Sequence, residues 1–140
     1  LKKNNLDMIP EYVVETDQTE REGYEAMEQL LKTDDCPTGI YCANDITAVG
    51  MLKYLRRCRN LYFTPSIIAS DNIEEAQFTK PMLTTVALPR EEMGRFAIYL
   101  LLDRMKGGHT GVVRMELSGK LLIRNSCSHV SESFWSDYCI

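Results

Sequence analysis

Two short stretches of this chain place polar side chains where a small molecule could be gripped. Asn44 and Asp45 follow the apolar run TGIYCA at residues 38 to 43, and Asp71 and Asn72 follow SIIAS at residues 66 to 70. An asparagine at such a junction accepts a hydrogen bond as a helix N-cap, worth about 1 kcal/mol, or turns its amide toward a ligand and leaves the cap to Asp45 or the local backbone. Both readings of Asn44 stand on the residues alone. Asp71 divides in the same way: it caps a short helix near Ile73, or its two carboxylate oxygens receive two ligand hydroxyls. Each such charge-assisted bond is worth roughly 1.5 to 3 kcal/mol.

Arg90 comes directly after Pro89, at the start of a long helical stretch, where a cation opposes the helix dipole. That position points to a nearby carboxylate or ligand, although an exposed arginine is tolerated there. Thr84 and Thr85 read as β-branched residues of an extended segment and require no function.

The chemistry of enzymes is not written in the chain. It has no GxGxxG, no Walker glycine loop and no G-x-S-x-G elbow. His109 and His129 lack ligand-like spacing, and a metal site built from them with Cys127 is disfavoured. Glu91 and Glu92 diverge by about 100 degrees around a helix and do not form a catalytic pair. The reading is a non-enzyme with no metal and no cofactor.

These side chains need a scaffold of alternating strands and helices. Tyr12 to Val14 reads as a short strand. Thr19 with Glu22 forms a capping box for a helix over about 20 to 32, on which Tyr24, Met27, Leu30 and Leu31 recur at helical spacing. TGIYCA reads as a strand buried on both faces. A helix from Asp45 turns Ala48, Met51, Leu52 and Leu55 inward and ends in basic residues that suit its dipole. SIIAS is the next strand, residues 73 to 78 form one or two helical turns, and KPMLTTVALP is extended because Pro81 and Pro89 disfavour helix.

The longest helix spans 90 to 106, stopped by Gly107 and Gly108. Its apolar residues cover more than half its circumference, so it requires partners on two sides. Gly94 inside it marks close packing. Val112 to Leu117 and Leu121 to Ile123 alternate as strands around a turn at SGK. The tail, with the single tryptophan, has no clean period. The whole predicts an α/β fold with a mainly parallel sheet, and in such folds ligands sit outside the carboxyl ends of the strands.

Composition agrees with a single domain of ordinary size: 140 residues, 44% hydrophobic, net charge -4. No basic footprint for nucleic acid stands out, and no apolar run reaches the 18 or so residues of a membrane span. The five cysteines, an odd count without close pairing, read as thiols in a reducing compartment, with Cys127 and Cys139 the pair best able to depart from that.

Taken in order, PTGIYCANDITAVGMLKYLR, SIIASDNIEEAQFTKPMLTTVALPREEMGRFAIYLLLDRMKGG and LLIRNSC closely resemble the C-terminal half of the lactose-repressor and galactose-repressor family of bacterial transcription regulators. The resemblance runs from about residue 16 to 127 and rests on the combination, since no single piece is specific. It implies a periplasmic-binding-protein-like (type I) effector domain, here a partial two-lobed one, fused after a helix-turn-helix domain that the chain does not contain.

By that resemblance residues 1–86 belong to the C-terminal lobe, and 87–118 are a crossover helix and strand of the N-terminal lobe. Residues 119–127 return to the C-terminal lobe, and 128–140 are a tail. The resemblance implies effector contacts at Asn44 and Asp71, a cleft-lining side chain at Arg90, and Gln18 near a position that is often aromatic in sugar-binding relatives. Glutamine offers a sugar ring no flat apolar face, and Ala69-Ser70 stands where the family commonly has glycine and a bulkier residue; both are departures.

The implied partners are a small polar effector such as a sugar, operator DNA through the upstream domain, and a second copy in a homodimer, in the cytoplasm and away from membranes. Two rivals share the scaffold. An extracytoplasmic solute-binding receptor would carry a secretory signal upstream, and an enzyme on a doubly wound sheet would show turnover.

Overall fold

The computed structural model describes residues 8–33, 36–58 and 65–128. Cys139, His129 and the tryptophan-bearing tail, all named from the sequence, lie outside the described residues.

Helix α1, Glu20–Leu30, begins as its capping box requires: Thr19 Oγ1 accepts from the Glu22 backbone N–H at 3.3 Å. Strand β1 is Gly39–Tyr41, helix α2 is Asp45–Arg57, and strand β2 is Ser66–Ser70. A 3-10 turn at Glu74–Gln77 leads to β3, Thr84–Ala87; helix α3, Arg90–Met105, and β4, Lys120–Leu122, complete the chain of elements. The sheet order is β1-β2-β3-β4, with β1, β2 and β3 parallel and β4 antiparallel to β3.

The core lies where α1 and α2 pack on the sheet. Met27, Leu30, Ala48, Met51, Leu52, Leu55, Ile67, Ala69 and Leu83 are all buried in one cluster. The two helices cross at glycines: a Cβ on Gly23 would run into the backbone carbonyl of Thr47, and one on Gly50 into that of Glu20. Only hydrogen side chains permit that approach, which brings the start of α2 hard against α1.

Four expectations are corrected. Residues 12 to 14 form no strand; Pro10–Tyr12 is a 3-10 turn, for which Pro10 supplies the required φ at the first position. Strand β1 is not buried on both faces: Gly39 and Tyr41 are exposed on one, and Ile40 on the other is half-buried. Residues 112–117 have no strand ladder, since extended backbone becomes a strand only beside a partner and none of the four strands pairs with it.

The fourth correction concerns Gly94 of α3, which marks no close packing. No residue of this helix is buried, and Ile98 at 61% and Met105 at 75% exposure stand in solvent. Gly94 accordingly has nothing within reach of an added Cβ. The apolar circumference is real, but what it would pack against is not among the described residues.

Candidate functional site

The two parallel strands β1 and β2 end side by side. Tyr41 lies opposite Ile68 in the ladder, and the Cys42 N–H donates to the Ile68 carbonyl at 2.9 Å just beyond it. β1 ends at Tyr41 and β2 at Ser70, so Asn44, the N-cap that follows β1, and Asp71, directly after β2, both lie beyond the carboxyl ends of adjacent strands.

Asn44 is the N-cap of α2. Its Oδ1 accepts from the Thr47 backbone N–H at 3.0 Å and from Thr47 Oγ1–H at 2.7 Å. Its Nδ2 donates to Gln18, at 3.2 Å to the backbone carbonyl and 3.4 Å to Oε1. Two residues singled out from sequence, 26 apart in the chain, are thus in contact. Gln18 itself takes a left-handed φ of 61° at the approach to α1.

Asp71 is half-buried, and its carboxylate has no hydrogen bond or ion pair among the described residues. Its backbone is strained: φ is 119° at Asp71 and 51° at Asn72, both in the region that favours glycine. The Asp71 N–H donates to the Val86 carbonyl of β3 at 3.0 Å. Asn72 is tied down by two arginines. Arg124 Nη2 donates to Asn72 Oδ1 at 2.7 Å, and Arg90 Nη2 donates to the Asn72 carbonyl at 3.4 Å. Arg90 therefore meets a carbonyl at the turn next to Asp71, which offsets its position at the helix start.

Two residues that the sequence reading passed over sit beneath this edge. Asp45, read from sequence as the polar neighbour of Asn44 and an alternative cap, is fully buried at 0% exposure. Its Oδ1 accepts from Thr85 Oγ1–H at 2.6 Å, and its Oδ2 accepts from the Ile73 N–H at 3.0 Å. Thr85, read as needing no role, is equally buried and accepts from the Asn72 N–H at 3.3 Å. Burial pushes the Asp45 carboxyl above its ordinary value; the hydrogen bonds from Thr85 and Ile73 oppose that, and the nearby charge of Asp71 adds to it. The partners lie 28 and 40 residues away, so only their pairing in the sheet reveals them.

Burial also holds the Cys42 thiol up, at about 12, in contact with Met51. Cys42, Cys58 and Cys127 are free thiols. Among the described residues no group of three potential ligands could hold a metal ion, and no helix is long and apolar enough to cross a membrane. Cavities of about 230 Å³ beside His109 and about 200 Å³ beside Cys42 are lined by neither Asn44 nor Asp71.

The family of periplasmic binding protein-like domains matches residues 1–127. The HTH-type transcriptional repressor CytR of Escherichia coli K12 is 40% identical over 128 residues, covering 90% of this chain and 37% of that protein. The repressor PurR of Haemophilus influenzae is 31% identical over 134 residues, covering 93% and 40%. The chain thus spans well under half the length of these relatives.

Among solved structures, a LacI family regulator from Enterococcus faecium with bound ribose superposes at a TM-score of 0.68 with 30% identity, covering 81% of this chain and 42% of that one. The regulator CelR in complex with cellobiose superposes at 0.82 with 28% identity, covering 90% and 39%.

Proposed function

The chain belongs to the periplasmic binding protein-like domain family, in its LacI/GalR branch, and we propose that it senses a small polyhydroxylated molecule on behalf of a DNA-binding transcriptional regulator. The observation that carries this is that Asn44 and Asp71 both follow the carboxyl ends of adjacent parallel strands, with the Asp71 carboxylate making no hydrogen bond or ion pair among the described residues. An effector hydroxyl pair binds the two oxygens of Asp71, and a further hydroxyl replaces Gln18 as acceptor for Asn44 Nδ2, whose present bonds are its longest. Arg90 borders the same turn through Asn72. The ribose and cellobiose in the related structures support a sugar-like ligand.

In the intact protein residues 1–86 and 119–127 make the C-terminal lobe, while α3 and the segment to residue 118 serve the N-terminal lobe. The exposed apolar surface of α3 supports that division, since a patch of this size ordinarily meets another surface. The effector shifts the balance between two lobe arrangements, which alters the spacing of two helix-turn-helix heads in a cytoplasmic homodimer on a palindromic operator. Whether it releases or tightens the DNA follows from which arrangement it prefers.

The test is calorimetric titration of the intact protein with free sugars, phosphorylated sugars and nucleosides, paired with operator mobility shift. Binding of one class with a change in operator affinity is the expected result. A protein that binds none of them, or binds one without altering DNA affinity, ends this reading.

A further inference from the structure

We propose that Asp45 and Thr85 are positioning residues of the effector site: together they hold the Asp71–Asn72–Ile73 turn in the conformation that presents Asp71 at the sheet edge. The inference rests on the effector reading given above for Asp71.

Two consecutive non-glycine residues with positive φ, at 119° and 51°, persist only where their surroundings dictate them. Three successive backbone N–H groups are claimed here. That of Asp71 goes to the Val86 carbonyl, that of Asn72 to Thr85 Oγ1, and that of Ile73 to Asp45 Oδ2. Two of the three acceptors are therefore side chains of one buried pair, themselves joined by the 2.6 Å bond from Thr85 to Asp45. A carboxylate is suited to this place because both oxygens accept, whereas an asparagine would face one donor with another. Asp45 has no ion pair among the described residues, so what keeps a carboxylate buried there is these donors and the N-terminus of α2.

The arrangement also links the two binding side chains. Asn44 and Asp45 are consecutive at the start of α2, the first at the end of β1 and the second reaching under the end of β2. A shift of this helix start moves Asn44 and the Asp71 turn together.

The experiment compares Thr85→Val, which keeps the shape but removes both hydrogen bonds, with Thr85→Ser, which keeps the hydroxyl. Amide hydrogen exchange at Asn72 and Ile73 and calorimetric affinity for D-ribose are measured on the intact protein. Thr85→Val should speed exchange at those two amides tenfold or more, leave amides in the middle of α1 unchanged, and weaken D-ribose about tenfold; Thr85→Ser should restore both. Unchanged exchange at Asn72 and Ile73 overturns the proposal, as does faster exchange with unaltered affinity. A wild-type protein that ignores D-ribose and every other sugar removes the effector reading instead, and the exchange data still decide whether the pair holds the turn.

Discussion

Replacing Asp71 by glycine separates binding from folding. The carboxylate makes no hydrogen bond or ion pair among the described residues, so its removal breaks neither there and takes away a like charge near Asp45. The backbone at φ 119° suits glycine better than aspartate, and relief of such a conformation is worth about 1 to 2 kcal/mol. Against that stands the greater freedom of glycine in the unfolded chain, roughly 0.4 to 1 kcal/mol. The net expectation is a protein as stable as the wild type or more stable, by up to about 1.5 kcal/mol. Effector affinity should move the other way. Loss of even one of the two charge-assisted bonds, at about 1.5 to 3 kcal/mol, corresponds to at least roughly a 10- to 150-fold rise in Kd. Thermal unfolding and calorimetry of Asp71→Gly in the intact protein, using the tightest ligand of the screen, measure both quantities. An unchanged Kd would remove Asp71 from the site, and a large fall in Tm would show that its side chain supports the fold.

Gly50→Ala should destabilise the protein by at least about 1 to 3 kcal/mol, read by denaturant unfolding, because the added methyl meets the Glu20 backbone rather than a yielding side chain. The Asp45 carboxyl, raised from 3.8, keeps its proton to higher pH when folded than when unfolded. Its contribution to stability is therefore complete below 3.8 and is lost as pH rises through the folded value; the stability difference between wild type and Asp45→Asn should change across that acid window and be flat above it. Cys42, buried and held near 12, should resist iodoacetamide at pH 8 in the native state and react once unfolded, with peptide mapping as the readout. Labelling of native Cys42 at the rate of a free thiol would contradict its packing against Met51.

Local signals located most of the elements. The capping box at Thr19 and Glu22 starts α1 where expected, SIIAS is β2 residue for residue, and α2 and α3 run from the residues where helical spacing begins. Each of these is specified within a few residues by a period or a cap. Failures came where structure depends on a neighbour. Val112 to Leu117 alternates as a strand does but has no ladder, and the largely apolar TGIYCA, read as buried on both faces, exposes Gly39 and Tyr41. Gly94 was singled out for packing, while the glycines that make the close approach are Gly23 and Gly50.

The candidate site divides along the same line. Sequence alone determined that polar residues follow two apolar strands of an α/β chain, and hence that Asn44 and Asp71 stand at strand ends. It also carried the family resemblance, which the match over residues 1–127 upholds. Only the tertiary structure decided that the two strands are neighbours in matching register, that Asn44 caps its helix while touching Gln18, and that Asp45 and Thr85 lie buried beneath the Asp71 turn. The physical reason is range: a cap or a helical period is set by residues three or four apart, whereas a hydrogen bond between residues 40 apart exists only once the sheet has assembled around it.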